Sequence, residues 1–146
     1  MEETLAVNVI APAALSRSAA RYWIASETPG AIVNIASLSG LKGKALLSSY
    51  SASKGAVVRL TESLAVEWAR YNIRVNTIAP GAFQTDAQAA VLDDPATLEA
   101  RLRKIPMRRM AEPHEIGPLA AYLVSPLSLF VTGSCFVIDG GEFARL

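Results

Sequence analysis

The sequence predicts an α/β fold: part of a doubly wound parallel sheet, about three strands wide, with helices on both faces. Short apolar, β-branched runs alternate along the chain with longer segments whose apolar residues recur at helical spacing. Within those runs the apolar residues are nearly continuous rather than alternating, the pattern of strands covered on both sides. Only three such runs occur, and a helix precedes the first, so the sheet is expected to be half of a wider one.

Residues 4–25 carry the first helical pattern, which stops at the turn-prone "SETPG". "AIVNIAS" (31–37) follows Pro29-Gly30 and reads as a strand. Residues 48–70 form the second helix, with Val57, Leu60, Leu64 and Trp68 on one face and serines at its start to cap it. "IRVNTIA" (73–79) is the next strand, stopped by Pro80-Gly81. A helical patch (94–104) lies in a polar stretch, and a further helix runs from about Pro113 to Val124. "SCFVID" (134–139) makes the last strand before Gly140-Gly141.

A chain of 146 residues, 51% hydrophobic and 18% charged, has a globular composition and the length of one domain. Its formal net charge of +1, with no basic run, gives no footprint for nucleic acid. A single cysteine, Cys135, excludes an intrachain disulfide, fits a cytoplasmic setting and reads as a buried small apolar residue. "MEETLAVNV" lacks the positive region of a secretory signal. Ile116 to Ile138 carry no charge over a length that could cross a bilayer, but Pro118, Pro126, Gly133 and three serines interrupt it, so no membrane span is expected. His114 has no partner at ligand spacing and reads as a surface residue; no metal site is expected.

Polar groups gather at the strand ends. Ser37 closes the first strand, Pro80-Gly81 close the second, and Tyr50 opens the helix between them. In open α/β sheets ligands sit beyond the carboxyl ends of the strands, so topology alone brings these groups to one rim. Tyr50 and Lys54 are four apart and share a helical face. A free phenol ionises near pH 10, too high for efficient proton exchange at neutrality. An ammonium about 4 Å away, at an effective dielectric near 20, favours the phenolate by about 4 kcal/mol. With a hydroxyl such as Ser37 to hold a carbonyl or alcohol oxygen, the three make a proton-transfer site for carbonyl–alcohol chemistry. Taken alone, the pair reads equally as an exposed tyrosine beside a solvated lysine; the surrounding sequence decides against that.

"IVNIASLSG", then Tyr50 in "YSASKG" thirteen residues beyond Ser37, then "NIRVNTIAPGAFQTD", then "VTGSCFVIDGG" together resemble the short-chain dehydrogenase/reductase family, from about Leu5 to Gly141. The resemblance implies a Rossmann-like sheet, NAD or NADP as cofactor, and interconversion of an alcohol and a ketone. It makes Tyr50 the general acid/base and also a cofactor-binding residue. Lys54 would assist it and hold the nicotinamide ribose. Ser37, rather than Ser39, would orient the substrate oxygen. Pro80 and Gly81 would line the nicotinamide pocket, Phe83 would contact the ring through its backbone, and Thr85 would bind the carboxamide. "EWARYNIRVN" and "DDPATLEARLRKIPMRR" look most like the sugar-acid or 3-oxoacyl reductase branches.

Asn8 matches the family's fourth catalytic position, whose backbone carbonyl holds a relay water. The local sequence supplies a mechanism, because residue 12, which would donate to that carbonyl in a regular helix, is a proline without an N–H. Pro12 is therefore expected to kink the helix and free the Asn8 carbonyl.

No glycine-rich phosphate cradle and no Asn-Asn-Ala-Gly element occur in these residues. Residues 1–146 thus resemble the C-terminal catalytic part of a single domain, with the N-terminal dinucleotide-binding half absent and the anion site for the pyrophosphate outside them. The strand at 31–37 should then be an edge with uncovered apolar surface. The family implies a homo-oligomer packed through helices 4–25 and 48–70, with Trp23 and Trp68 as anchors. A competing reading is a non-catalytic truncated product or an oligomerisation module that pairs with a full-length relative.

Overall fold

The protein is described from a computed structural model covering residues 1–145. The chain opens with helix α1 (Glu2–Leu5), a π-turn (Ala6–Ile10) and helix α2 (Ala11–Ala25), which follow one another without a break. Strand β1 (Gly30–Ile35), helix α3 (Ser48–Trp68) and strand β2 (Ile73–Pro80) come next. Helices α4 (Ala89–Leu92), α5 (Pro95–Leu102) and α6 (Gly117–Val124) lead to strand β3 (Cys135–Ile138). Both strand pairs are parallel, in the order β1-β2-β3, with Gly30 opposite Ile73 and Thr77 opposite Cys135. All three carboxyl ends therefore lie on one rim, and β1 is an edge strand among the described residues.

Alternation along β2 shows how both faces are covered. Val75 packs with Ile73, Ala20, Leu64, Ala65 and Trp68 beneath α2 and α3. Next on that face, Thr77 Oγ1 donates to Thr61 Oγ1 of α3 at 2.6 Å, and Asn34 Nδ2 of β1 donates to the same oxygen at 2.9 Å. Ala36, Val57, Val58 and Ala79 continue the core toward the rim, with half-buried Cys135 against them. The intervening residues point the other way. Arg74 donates through Nη1 to Leu123 O (2.7 Å) and Ser128 Oγ (3.0 Å) and through Nη2 to Ser125 O (3.2 Å). This buried guanidinium caps the carbonyl end of α6 and fastens it to the second face of the sheet.

Several expectations need correction. Trp68 is not an interface anchor: it is 8% exposed and belongs to the core between α2, α3 and the sheet, with Trp23 packed against it. The apolar side chains left exposed on these helices are Val7, Ile10, Leu15, Tyr22, Ile24 and Val66. Serines do not cap α3, because its N-cap is Leu47 and Ser48 and Ser49 already lie within the first turn. The helix expected from Pro113 starts as a 3₁₀ turn (Pro113–Ile116), in which the Glu115 carboxylate accepts from Glu112 N–H at 2.7 Å, and exposed His114 sits on that turn.

The uncharged stretch from Ile116 to Ile138 is broken at Ser125, where a 3₁₀ turn (Pro126–Ser128) follows α6. No helix among the described residues is long and apolar enough to cross a membrane. Nor do three or more His, Cys, Asp or Glu side chains converge there as a metal set.

Candidate active site

Ser37 leaves the end of β1 in an extended conformation, and its Oγ accepts from Ser39 N–H at 3.2 Å. That bond opens a 3₁₀ turn (Leu38–Gly40) which lays the chain against α3. Gly40 permits the approach: a Cβ there would stand 2.6 Å from the Lys54 carbonyl carbon. The turn and the helix are thus packed backbone to backbone, holding Ser37 opposite the first turn of α3, where Tyr50 sits.

Lys54 lies one helical turn beyond Tyr50. Its Nζ donates to Ile35 O at 3.0 Å and lies 5.7 Å from the centre of the Tyr50 ring. Burial lowers the lysine pKa from its ordinary value. On the inner side of α3, Ser53 Oγ donates to Tyr50 O at 2.7 Å and accepts from Asn8 Nδ2 at 3.0 Å. Asn8 therefore reaches the tyrosine turn through its side chain. It sits in the π-turn, where Ala11 N–H donates to Ala6 O, five residues back, immediately before Pro12. The helix is irregular where the proline removes a donor, as a widened turn.

Pro80 ends β2, and Gly81 N–H donates to Ile138 O at 2.9 Å. A Cβ on Gly81 would stand 2.7 Å from Asp139 Cβ, so no side chain fits between the two strand ends. Ser37, Tyr50, Pro80 and Gly81 line one cavity of about 570 Å³ at the rim. Lys54 and Asn8 are not in its wall: the Lys54 ammonium is tied to Ile35 O of β1 beside the Tyr50 ring, and Asn8 reaches the tyrosine turn through Ser53. Phe83 and Thr85 are not in it either. Phe83 bridges to Ala111 in a short parallel pairing, and Thr85 is exposed, its carbonyl accepting from Gln88 N–H at 2.8 Å.

Sequence reasoning missed several groups at this site. Ser53 stands three residues beyond Tyr50, a spacing at which a helical hydroxyl meets the preceding turn's carbonyl, so the signal was present. Lys42, Lys44, Arg101, Lys104 and Glu142 also line the cavity, and no motif joined them, because they converge only through the tertiary fold.

A family model described as enoyl-(acyl carrier protein) reductase matches residues 1–142. The chain belongs to the short-chain dehydrogenase/reductase family. Galactitol 2-dehydrogenase (L-tagatose-forming) of Cereibacter sphaeroides is 42% identical over 141 residues, covering 95% of this chain and 55% of that protein. A solved structure of 4-hydroxyisoleucine dehydrogenase complexed with NADH superposes with a TM-score of 0.95 at 39% identity, covering 97% of this chain and 58% of the other. A gluconate 5-dehydrogenase from Burkholderia cenocepacia, in complex with NADP and tartrate, superposes with a TM-score of 0.91 at 34% identity, covering 96% and 55%. This short-chain dehydrogenase/reductase chain thus spans just over half the length of the relatives it matches, and its three-stranded parallel sheet with flanking helices is the corresponding part of their Rossmann-like fold.

Proposed function

We propose that this chain supplies the catalytic side of an NAD(P)-dependent oxidoreductase that interconverts an alcohol and a ketone. One observation carries the reading: the Ser37 and Tyr50 side chains line the same rim cavity, with the Lys54 ammonium fixed behind the tyrosine. In this reading Ser37 Oγ donates to the substrate oxygen and sets its position. The Tyr50 hydroxyl delivers the proton in reduction and receives it in oxidation. Negative charge on the phenol oxygen during the transfer is met by the Lys54 ammonium, pinned by its bond to Ile35 O.

The residues fit the nicotinamide-ribose end of a dinucleotide. Lys54 has three N–H donors and spends one on Ile35 O, leaving donors for ribose hydroxyls. The corner offers a flat wall made of the Pro80 ring and the Gly81 backbone, where no further side chain fits. When bound, the nicotinamide supplies the hydride chemistry; this chain contributes binding, orientation and the proton. Phe83 and Thr85 are proposed to contact the nicotinamide from the loop beyond the cavity. Asn8 acts as a positioning residue through Ser53, and its carbonyl is the site proposed for a relay water.

We assign residues 1–146 to the catalytic part of the domain, with the pyrophosphate site outside them, in a cytoplasmic protein. A homo-oligomer formed through α1, α2 and α3 is proposed on the exposed Val7, Ile10, Leu15, Tyr22 and Val66. The same residues favour a second reading, a non-catalytic module that pairs with a longer relative. Titration of the purified chain with NADH and NADPH, followed by nicotinamide fluorescence and by oxidation in the presence of keto-sugars, separates the two. Saturable binding with turnover supports the enzyme; no binding at millimolar cofactor supports the module.

A further inference from the structure

The rim cavity carries more positive charge than proton transfer needs. Lys42, Lys44, Arg101 and Lys104 line it, against one carboxylate, Glu142. That carboxylate is already committed: Arg101 Nη1 and Nη2 bind its two oxygens at 2.6 and 2.7 Å, in a pair with both side chains about four-fifths buried. Lys42 Nζ donates to the Phe143 carbonyl at 2.8 Å and lies 4.5 Å above the Phe143 ring, partners that fix the ammonium without cancelling its charge. Lys44 and Lys104 make no ion pair among the described residues. Three lysines thus line the cavity without an ion-pair partner among the described residues, in a chain whose formal net charge is +1.

We infer that the substrate is a small hydroxy or keto acid whose carboxylate is held by Lys42, Lys44 and Lys104. Its reacting oxygen meets Ser37 and Tyr50, an orientation that rests on the function proposed above. Family membership alone does not choose between neutral and anionic substrates: galactitol names one relative and gluconate another. The lysines do. A neutral polyol exchanges hydrogen bonds with water for hydrogen bonds with the wall, at little net gain. A carboxylate gains in addition a Coulomb attraction to every unpaired ammonium within a Debye length. A cavity of about 570 Å³ is within the range that encloses a small ligand. The Arg101–Glu142 pair forms the floor that keeps α5 and the 142–143 segment together, and it is not assigned to the substrate.

The test is calorimetric titration of the full chain with D-gluconate and with D-glucitol, which share a carbon skeleton and differ in the carboxylate. Gluconate should bind at least about tenfold more tightly at low salt, and the preference should shrink as salt rises from about 0.05 to 0.5 M. Lys44→Gln and Lys104→Gln, both at exposed positions, should each weaken gluconate about fivefold and leave glucitol unchanged. Lys44→Arg and Lys104→Arg should restore the preference. Equal affinity for the two compounds, no binding of either, or a preference indifferent to the lysines overturns the inference. Binding needs no turnover, so a Tyr50→Phe chain that still prefers gluconate keeps this assignment even if the catalytic reading fails.

Discussion

Lys54 is the residue at which packing and chemistry meet. Its ammonium is half-buried, bonded to one carbonyl and set beside an aromatic ring, and burial alone moves its pKa down. The charge therefore begins to leave before the ordinary lysine range as pH rises. Turnover should fall on the alkaline side below pH 10.5, and a ¹⁵N-detected titration of Lys54 should give a midpoint under that value; a midpoint at or above it would remove burial as the cause. In the proposed reaction Ser37→Ala should lower kcat/KM about 10²-fold, because one donor to the reacting oxygen is lost, with a smaller loss of about 1 kcal/mol in stability from the missing cap on Ser39 N–H.

Arg109 holds Glu115 down at about 2, through paired bonds of 2.6 Å, with the Glu112 N–H adding a third. A carboxylate depressed in the folded state stabilises fully above its unfolded value, near 4.5, and the contribution fades as pH falls toward 2. Glu115→Gln should therefore flatten the loss of stability between those pH values, read by urea unfolding at each pH.

Among the elements, the joint between the Leu38–Gly40 turn and α3 holds the rim in shape, and the Arg74 joint ties α6 to the amino end of β2. Gly40→Ala would push a methyl to within 2.6 Å of the Lys54 backbone, where neither partner can rotate away. The expected cost is about 1–3 kcal/mol, with Tyr50 displaced from Ser37. Thermal unfolding and turnover should fall together; a variant with wild-type values of both would show that the two backbones do not pack as described. Arg74→Met removes the guanidinium donors from Leu123 O and Ser125 O and leaves the single Ser128 hydroxyl to serve both carbonyls. A loss on the order of 3 kcal/mol is expected in chemical denaturation, with the m-value unchanged.

What was legible in advance at this scale followed from local signals. Largely apolar, β-branched runs bounded by Pro and Gly marked β1, β2 and β3 to within two residues, because a strand covered on both faces keeps few polar positions. The rim residues were legible because strand ends and a helix start bring them together whatever the loops do. The role of Trp68 was not, since an apolar stripe on α3 looks the same whether it meets a sheet in its own chain or a helix in another. The lysines around the cavity were also out of reach: Lys42 and Lys104 are joined only by the packing of α5 against the chain beyond β3, which no periodicity encodes.

At the scale of the whole molecule, β1 and β3 are each paired on one side only among the described residues, and Ile35 at the end of β1 is 46% exposed. Its relatives are nearly twice as long. Exposed Leu15 and Val66 lie on helices whose other faces are in the core, and exposed Val7 and Ile10 lie on the π-turn that leads into α2. Sedimentation equilibrium should show self-association at micromolar concentration, and Val66→Glu should shift it toward monomer with the helical circular dichroism unchanged.

In the proposed reaction Tyr50 carries the proton, while most of the affinity comes from the other residues that line its cavity. Comparing wild type with Tyr50→Phe for turnover and for cofactor affinity in the same preparation tests it most directly. A fall in kcat of about 10²–10⁴-fold with an unchanged dissociation constant is the predicted result. A variant that turns over at the wild-type rate would contradict it.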